Sequence, residues 1–314
     1  MRHYCTYFDI KFIAQGVTLY RSLERVSGKF VLHILCVDRC SYELLSKLHL
    51  KSAQLWHLDE LELYDTLLAQ SKVGRDRTGY IWSLTPCLLR FLFHRNLSIL
   101  ELTYVDADLY FVSTPEGIFY ELGESSISLI PHRYHGEFVN PSNPSGIYNV
   151  AMMTFRRTQE GVKALSWWRE QCIANCSSTP DGKVFGDQKY LDDWPTRFSG
   201  VHVVENIGAN LAPWNLGRYR VRSSAGRIMV DDRELVFYHF HKLRPLTSRW
   251  WHVGFGHIDN NILDIIYRPY LLEVREVMLA LKRKARDFNP SCYKPDLGTL
   301  LRWIYHRNIR LLRA

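Results

Sequence analysis

The chain has 314 residues, 46% hydrophobic and 23% charged, with a formal net charge of +8. That composition excludes a disordered or fibrous chain, and no run approaches the roughly 18 uninterrupted apolar residues of a membrane span. Seven cysteines, an odd number in a long chain, exclude a disulfide framework; the pairs Cys36/Cys40 and Cys172/Cys176 have C-x3-C spacing and read as free or buried thiols rather than zinc ligands.

The opening MRHYCTYFDI goes straight into a strand-like alternation over His3–Tyr7, without the apolar stretch of a secretion signal, so the expectation is a cytoplasmic protein. Residues 14–26 space Val17, Leu19, Tyr20, Leu23 and Val26 as a helix, and FVLHILCVD (30–38) is a buried strand. Ser41 is read as the cap of a helix over 42–50, and AQLWHL (53–58) gives a third strand. Strands alternating with helices predict an α/β fold with a mostly parallel sheet and right-handed crossovers. Thr85-Pro86 looks like a helix start, followed by PCLLRFLFHR with Arg90 as its early charge. SILELTYV then makes a central strand, and Thr114-Pro115-Glu116 opens a short helix. YNVAMMTF (148–155) reads as a strand, 162–176 as a helix in which Trp167 and Trp168 pack, and LVFYHFHKL (235–243) as a late strand. The loop HGEFVNPSNPSGIY (135–148), rich in Pro, Ser and Asn, is a candidate wall of a site.

The central strand ends in LTYVDADLYF, with Asp106 and Asp108 at its carboxyl end, where open α/β sheets bind ligands. If 106–108 are extended, the two carboxylates share a face about 7 Å apart. An unpaired buried carboxylate is costly, and hard oxygen ligands favour Mg2+ or Mn2+. A cation carrying a diphosphate is therefore the inferred partner; the alternative is a solvated turn or a helix cap.

Four segments in order resemble those of the GT-A glycosyltransferases, most closely glycosyltransferase family 8, over about residues 3–246. YVDADLYF is similar to the family's Y-L-D-x-D segment, YNVAMMTF to its F-N-A-G strand, FGDQKYLD to its D-Q-x-x-x-N segment and YHFHKLRP to its H-F-x-G-x-x-K-P segment. The resemblance implies a GT-A-type, Rossmann-like central sheet flanked by helices. It implies that Asp106 and Asp108 hold the metal, Asp106 also lying near the donor ribose, and that His239 completes the shell with His241 as rival. Tyr7, Asp9, Arg90, Asn149, Lys242 and Arg244 would bind the donor, and Asp187 and Gln188 would act at the sugar as catalytic residues. Ala151 stands where the family has glycine, Asp192 where it often has asparagine, and Lys242 at another glycine position. In NLAPWNLGRY, Trp214 is a candidate to stack on an acceptor sugar, with Asn210 and Asn215 binding hydroxyls.

The implied activity is transfer of a sugar, with retention, from a nucleotide-sugar donor (UDP favoured, GDP possible) to a glycan or lipid-linked acceptor in bacterial surface polysaccharide synthesis. Departure of the nucleoside diphosphate would be assisted by the cation and by Lys242 or Arg244. Two alternatives share the aspartates. A sugar-1-phosphate nucleotidyltransferase would carry a Gly-rich basic loop after the first strand, which TYFDIKFIAQG lacks; a non-catalytic glycan- or membrane-binding protein would not need the intact Asp106, Asp108, Gln188 and His239. From Arg268 onward there are eleven Lys/Arg against four Asp/Glu, so the excess charge sits in a tail. The expected organisation is a catalytic domain over 1–268 and a basic amphipathic helical region over 269–314. Its segments at 270–286 and 297–313 would dock on the anionic inner face of the cytoplasmic membrane, with no nucleic-acid partner.

Overall fold

The computed structural model describes residues 1–140, 145–179, 185–247, 250–254, 258–285, 288, 294, 296–305 and 311–313. β1 (Arg2–Phe8), α1 (Ile13–Val26), β2 (Phe30–Cys36), α2 (Arg39–Ser46) and β3 (Ala53–His57) alternate as expected, and β2 pairs in parallel with both β1 and β3. Asp38 rather than Ser41 caps α2. Its carboxylate accepts from the Ser41 amide at 2.7 Å, while Ser41 Oγ donates to the Asp38 carbonyl at 2.8 Å.

Two short helices, α3 (Leu58–Tyr64) and α4 (Thr66–Gln70), lead into α5 (Arg77–Arg95). The helix expected to open at Thr85-Pro86 in fact starts at Arg77, where Asp76 accepts from the Gly79 amide at 2.9 Å. Pro86 lies buried inside it. The ring removes one intrahelical donor, the one that would serve the Trp82 carbonyl, and the rest of the helix continues.

β4 (Glu101–Val105) pairs in parallel with β1, and β5 (Leu109–Phe111) leaves the main sheet. After α6 (Glu116–Leu122) and β6 (Ile127–Pro131), the strand expected over 148–155 splits into β7 (Tyr148–Asn149) and β8 (Met152–Arg156). The break falls where the Ala151 carbonyl turns to accept from the Asp106 amide at 2.8 Å. α7 (Gln159–Ala174), α8 (Trp194–Arg197) and β9 (Val201–Val203) follow. The sheet order is β3-β2-β1-β4-β8-β6-β7, with β9 also on β6; β7 and β8 run against the others.

β10 (Val221–Ser224), β11 (Arg227–Val230) and β12 (Arg233–Glu234) form a small antiparallel sheet. β13 (Phe237–His239) then pairs antiparallel with β5, setting His239 opposite Leu109. The strand expected to run to 243 stops there, because Lys242 turns the chain with φ +57°. β14 (Arg244–Pro245) and β15 (Trp250–His252) pair next, and α9 (Asn260–Ile262) passes through a π-turn over 263–267 into α10 (Arg268–Lys284). α11 (Leu297–Tyr305) and β16 (Leu311–Arg313) close the described chain.

Alternate residues of the strands feed two cores, one on each face of the sheet. Tyr4, Phe8, Val105 and Met152 pack with α1, α2 and α10; Cys5, Tyr104, Met153 and Phe155 pack with α5 and α7. The helix expected over 270–286 forms, but its apolar stripe does not face outward. Tyr270, Leu271, Val274, Val277, Met278 and Leu281 are buried in the first core, each contributing about 1.5–3 kcal/mol of transfer free energy. Phe240 stacks on Tyr270 at 3.8 Å, Tyr110 Oη donates to Glu273 at 2.8 Å, and Arg25 pairs with Glu273 at 2.7 Å. Among the described residues no helix is long and apolar enough to cross a membrane, and the six cysteines described are free. Residues 141–144 of the 135–148 loop, Arg286 of the basic cluster and Cys292 lie outside the described residues.

Candidate active site

The two aspartates leave β4 in a turn rather than in an extended segment. The Leu109 amide donates to the Asp106 carbonyl at 3.2 Å, and the Phe240 amide to the Asp108 carbonyl at 3.1 Å. This turn and the β5–β13 register bring one ligand atom each from Asp106, Asp108 and His239 within 4.8 Å of one another. His239 Nε2 lies 3.4 Å from Asp108 Oδ1 and 4.0 Å from Asp106 Oδ2. Those separations suit ligands of one ion at about 2.1 Å. His241 stays outside the cluster, its ring 5.7 Å from that of His239 and edge-on to it.

Two half-buried carboxylates and one buried imidazole leave this spot with surplus negative charge. Burial, reinforced by the charge of Asp108, pushes Asp106 up to about 6, against the pull of His239 and of a 2.7 Å bond from Tyr104 Oη. Burial acts on Asp108 too, but the charge and hydrogen bond of His239 outweigh it and hold Asp108 below the usual carboxylate range. His239 is raised, because the two carboxylates overcome the burial that opposes its charged form. Two oxygen donors with one imidazole suit Mg2+ or Mn2+, and a divalent charge would relieve the repulsion between the acids. The donor set fits such an ion.

A polar chain joins this cluster to the D-Q segment. Asp187 is buried and pushed up to about 7 by that burial, with the Thr85 hydroxyl opposing the shift and the Asp106 charge adding to it. Thr85 Oγ1 lies 3.1 Å from Tyr7 Oη, whose ring packs 5.6 Å from that of Tyr104, the partner of Asp106. Trp168 Nε1 donates to the Asp187 carbonyl at 2.8 Å. Gly186 adopts φ +59°, and a Cβ there would come within 2.7 Å of the Trp82 ring. Thr85 and Tyr104 were missed from sequence. Thr85 was masked by its reading as a cap, although Tyr104, two residues before Asp106, shared its side of the strand pattern.

Asn149 and Gln188, both expected to line the donor site, are in contact. Asn149 Nδ2 donates to Gln188 Oε1 at 3.0 Å and also meets His132 Nε2 at 3.1 Å, a residue the sequence reading passed over. Asp192 braces the neighbouring loop, accepting from the Ile147 amide at 2.7 Å and pairing with Lys189 at 2.7 Å.

The remaining candidates are placed less uniformly. Asp9 pairs with Arg77 at 2.9 Å near the start of α5. Arg90, five residues after Thr85, lies about 140° round that helix from it. Lys242, which stands at a family glycine position, takes the left-handed conformation with φ +57° that a glycine adopts most readily. Lys242 and Arg244 both act electrostatically on His241, which also feels Asp108. Trp214 is buried behind the histidines, its ring 5.2 Å from His239 and 5.4 Å from His241, with Nε1 donating to the His132 carbonyl at 2.9 Å. It buttresses those rings and offers no open stacking face. Asn215 is turned inward, donating to the carbonyls of His132 and Asn210 at 2.9 and 3.0 Å and accepting from the Ala212 amide at 2.9 Å. Asn210 is also buried, with φ +66°, and among the described residues neither of its amide atoms has a partner.

No family model matches the chain. It is 32% identical over 302 residues to the uncharacterized protein YfnD of Bacillus subtilis, covering 94% of this chain and 96% of the relative. YfnF of the same organism is 32% identical over 255 residues, 78% of this chain and 82% of YfnF. Among solved structures, the galactosyltransferase LgtC, in complex with donor and acceptor sugar analogues, aligns with a TM-score of 0.54 at 12% identity, over 87% of this chain and 95% of LgtC. Mouse xyloside xylosyltransferase 1 aligns with a TM-score of 0.50 at 15% identity, over 77% of this chain and 98% of that one. At such identities the likeness establishes the fold. The chain therefore belongs to the family of YfnD and YfnF, and its fold is the GT-A type of the nucleotide-sugar transferases.

Proposed function

We propose that this protein is a divalent-metal-dependent glycosyltransferase, similar to glycosyltransferase family 8, that moves a sugar from a nucleoside-diphosphate donor to a glycan or glycolipid acceptor with retention. The observation that carries this reading is the convergence of Asp106, Asp108 and His239 at the carboxyl end of β4 in a GT-A-type fold. Asp106, Asp108 and His239 would hold Mn2+ or Mg2+, which when bound supplies charge stabilisation to a diphosphate leaving group. Lys242 and Arg244 add positive charge beside that position, and Asp9, with Tyr7 behind it, is assigned to the nucleotide end of the donor. Asn149 and Gln188 wall the sugar, and Asp187 supplies a carboxyl whose charge responds to pH near neutrality. Asn210, buried but with both amide atoms unpartnered among the described residues, is assigned to the acceptor side. UDP-sugars are the favoured donors, GDP-sugars the second choice, and a bacterial surface polysaccharide the favoured product.

The tail region is assigned to the anionic inner face of the cytoplasmic membrane. With the stripe of α10 buried, support for docking comes from exposed Lys282, Arg283 and Lys284 and from Leu297, Leu301 and Tyr305, which stand exposed at four-residue spacing along α11. Replacing Leu297 and Leu301 by Glu should release the protein from anionic liposomes in a sedimentation assay; equal retention would retire the assignment.

The deciding experiment for the activity is a hydrolysis screen over UDP- and GDP-sugars with and without Mn2+. Metal-dependent release of sugar from at least one donor is expected. Neither turnover nor binding with any of them would overturn the reading.

A further inference from the structure

Four backbone groups of fixed polarity surround the side chains of His132, Asn149 and Gln188, and they leave that network a single arrangement. The Ala151 amide can only donate, so the Asn149 atom it meets at 3.2 Å is Oδ1. The Val150 amide meets Gln188 at 3.3 Å, which makes that atom Oε1, and the Ser145 carbonyl, 2.5 Å from the other end, makes that one Nε2. The Ile147 carbonyl lies 3.2 Å from His132 Nδ1, which must then carry the ring proton. Asn149 Nδ2 has two hydrogens for two acceptors, Gln188 Oε1 and a bare His132 Nε2. All the directions agree.

We infer that His132 is a positioning residue: its neutral, Nδ1-protonated ring fixes the Asn149 amide, which in turn holds Gln188 Oε1 between two donors at the sugar-facing wall. The inference rests on the proposed reading of that wall. With Asn149 Nδ2 and the Val150 amide both bound to Gln188 Oε1, its lone pairs are engaged and its nucleophilicity is low. Gln188 therefore acts on the sugar through its second Nε2 hydrogen. His132 is itself locked. It is 3% exposed, stacked on Tyr134 at 4.5 Å and 10°, and covered by the edge of Trp214 at 5.4 Å. Burial lowers its pKa to about 3, against the Ile147 bond and with help from the His239 and His241 charges, so the ring stays neutral in the working range.

His132→Phe keeps a ring and removes both nitrogens, whereas His132→Gln restores an acceptor for Asn149. His132→Phe should lower kcat about 100-fold, the effect of a roughly 1 Å misplacement, while the donor KM moves little. His132→Gln should recover part of the loss. In a Gln188→Ala background His132→Phe should cost almost nothing further, because the group it positions is gone. Equal losses in both backgrounds, accompanied by a lower Tm, would reduce His132 to packing and overturn the inference. A second readout needs no turnover: 15N spectra of histidine-labelled protein, with His132→Gln to assign the signal, should show His132 with a protonated Nδ1 and a bare Nε2. The opposite tautomer or a cationic ring would overturn the inference whatever the reaction. That tautomer in a protein without donor turnover would leave the positioning intact and sink the transferase reading instead.

Discussion

The Asp106–Asp108–His239 cluster and the His132–Asn149–Gln188 network both sit at the carboxyl side of the sheet, yet they handle burial in opposite ways. In the network the His132, Asn149 and Gln188 side chains satisfy one another and the backbone, leaving one Gln188 Nε2 hydrogen over, and no net charge is left to neutralise. In the cluster the two acids repel each other, and the histidine balances only one of them. A fully paired group gains nothing from a ligand's charge and is suited to holding shape. A group with surplus charge is unfavourable until something positive arrives, and is suited to binding. The comparison thus separates residues that position from residues that recruit.

The largest expected effect breaks the recruiting side. Asp108→Asn should cut metal-dependent donor turnover by about 10³-fold while the circular dichroism spectrum is unchanged; retained turnover would mean that the acids recruit nothing. Next in size is the response of the wild-type protein to the ion itself. Mn2+ at a hundred times its Kd should stabilise it by about 2.7 kcal/mol in a thermal melt at pH 8. Because burial lifts Asp106 to about 6, protons compete with the cation, and this gain should shrink as pH falls through that value. A gain independent of pH would place the ion elsewhere.

The smallest effect sharpens the contrast at Asp187, which belongs to neither group cleanly. Its folded pKa of about 7 lies above the unfolded value, so the folded chain keeps a proton that the unfolded chain releases. The stability this contributes is complete below about pH 4 and is lost as pH rises through 7. Asp187→Asn should accordingly raise the free energy of unfolding more at pH 8 than at pH 5, by roughly 2 kcal/mol in denaturant titrations, even as it impairs activity. A pH-independent difference would show that the carboxyl is already ionised inside the fold.

Much of this architecture could be read from the residues. The alternation from His3 to Leu58 yielded β1 to β3 and their helices, and the charge at the end of an apolar run located the aspartate pair of the candidate metal cluster. What could not be read depended on tertiary choices. Thr85-Pro86 carries a genuine helix-start pattern, but Asp76 offers a better cap upstream and the buried ring tolerates an interior place. The periodicity of α10 is amphipathic either way, and only packing against α1 decides that the apolar stripe faces the core. His132 carries no spacing signal, because its distant partners come from two separate segments, 147–149 and 214–215.

The way α10 is seated also constrains how the chain can be shortened. Tyr270 lies flat on Phe240, and Tyr267 shares a 2.9 Å hydroxyl contact with Tyr238, so the two residues flanking His239 are clamped from the C-terminal side. A truncation at 268 meant only to shed the basic extension would strip Tyr270 from Phe240 and leave Tyr267 beside the new end, loosening the clamp on the imidazole between them. Loss of manganese affinity in such a fragment would then report an unfastened histidine, not a missing membrane anchor.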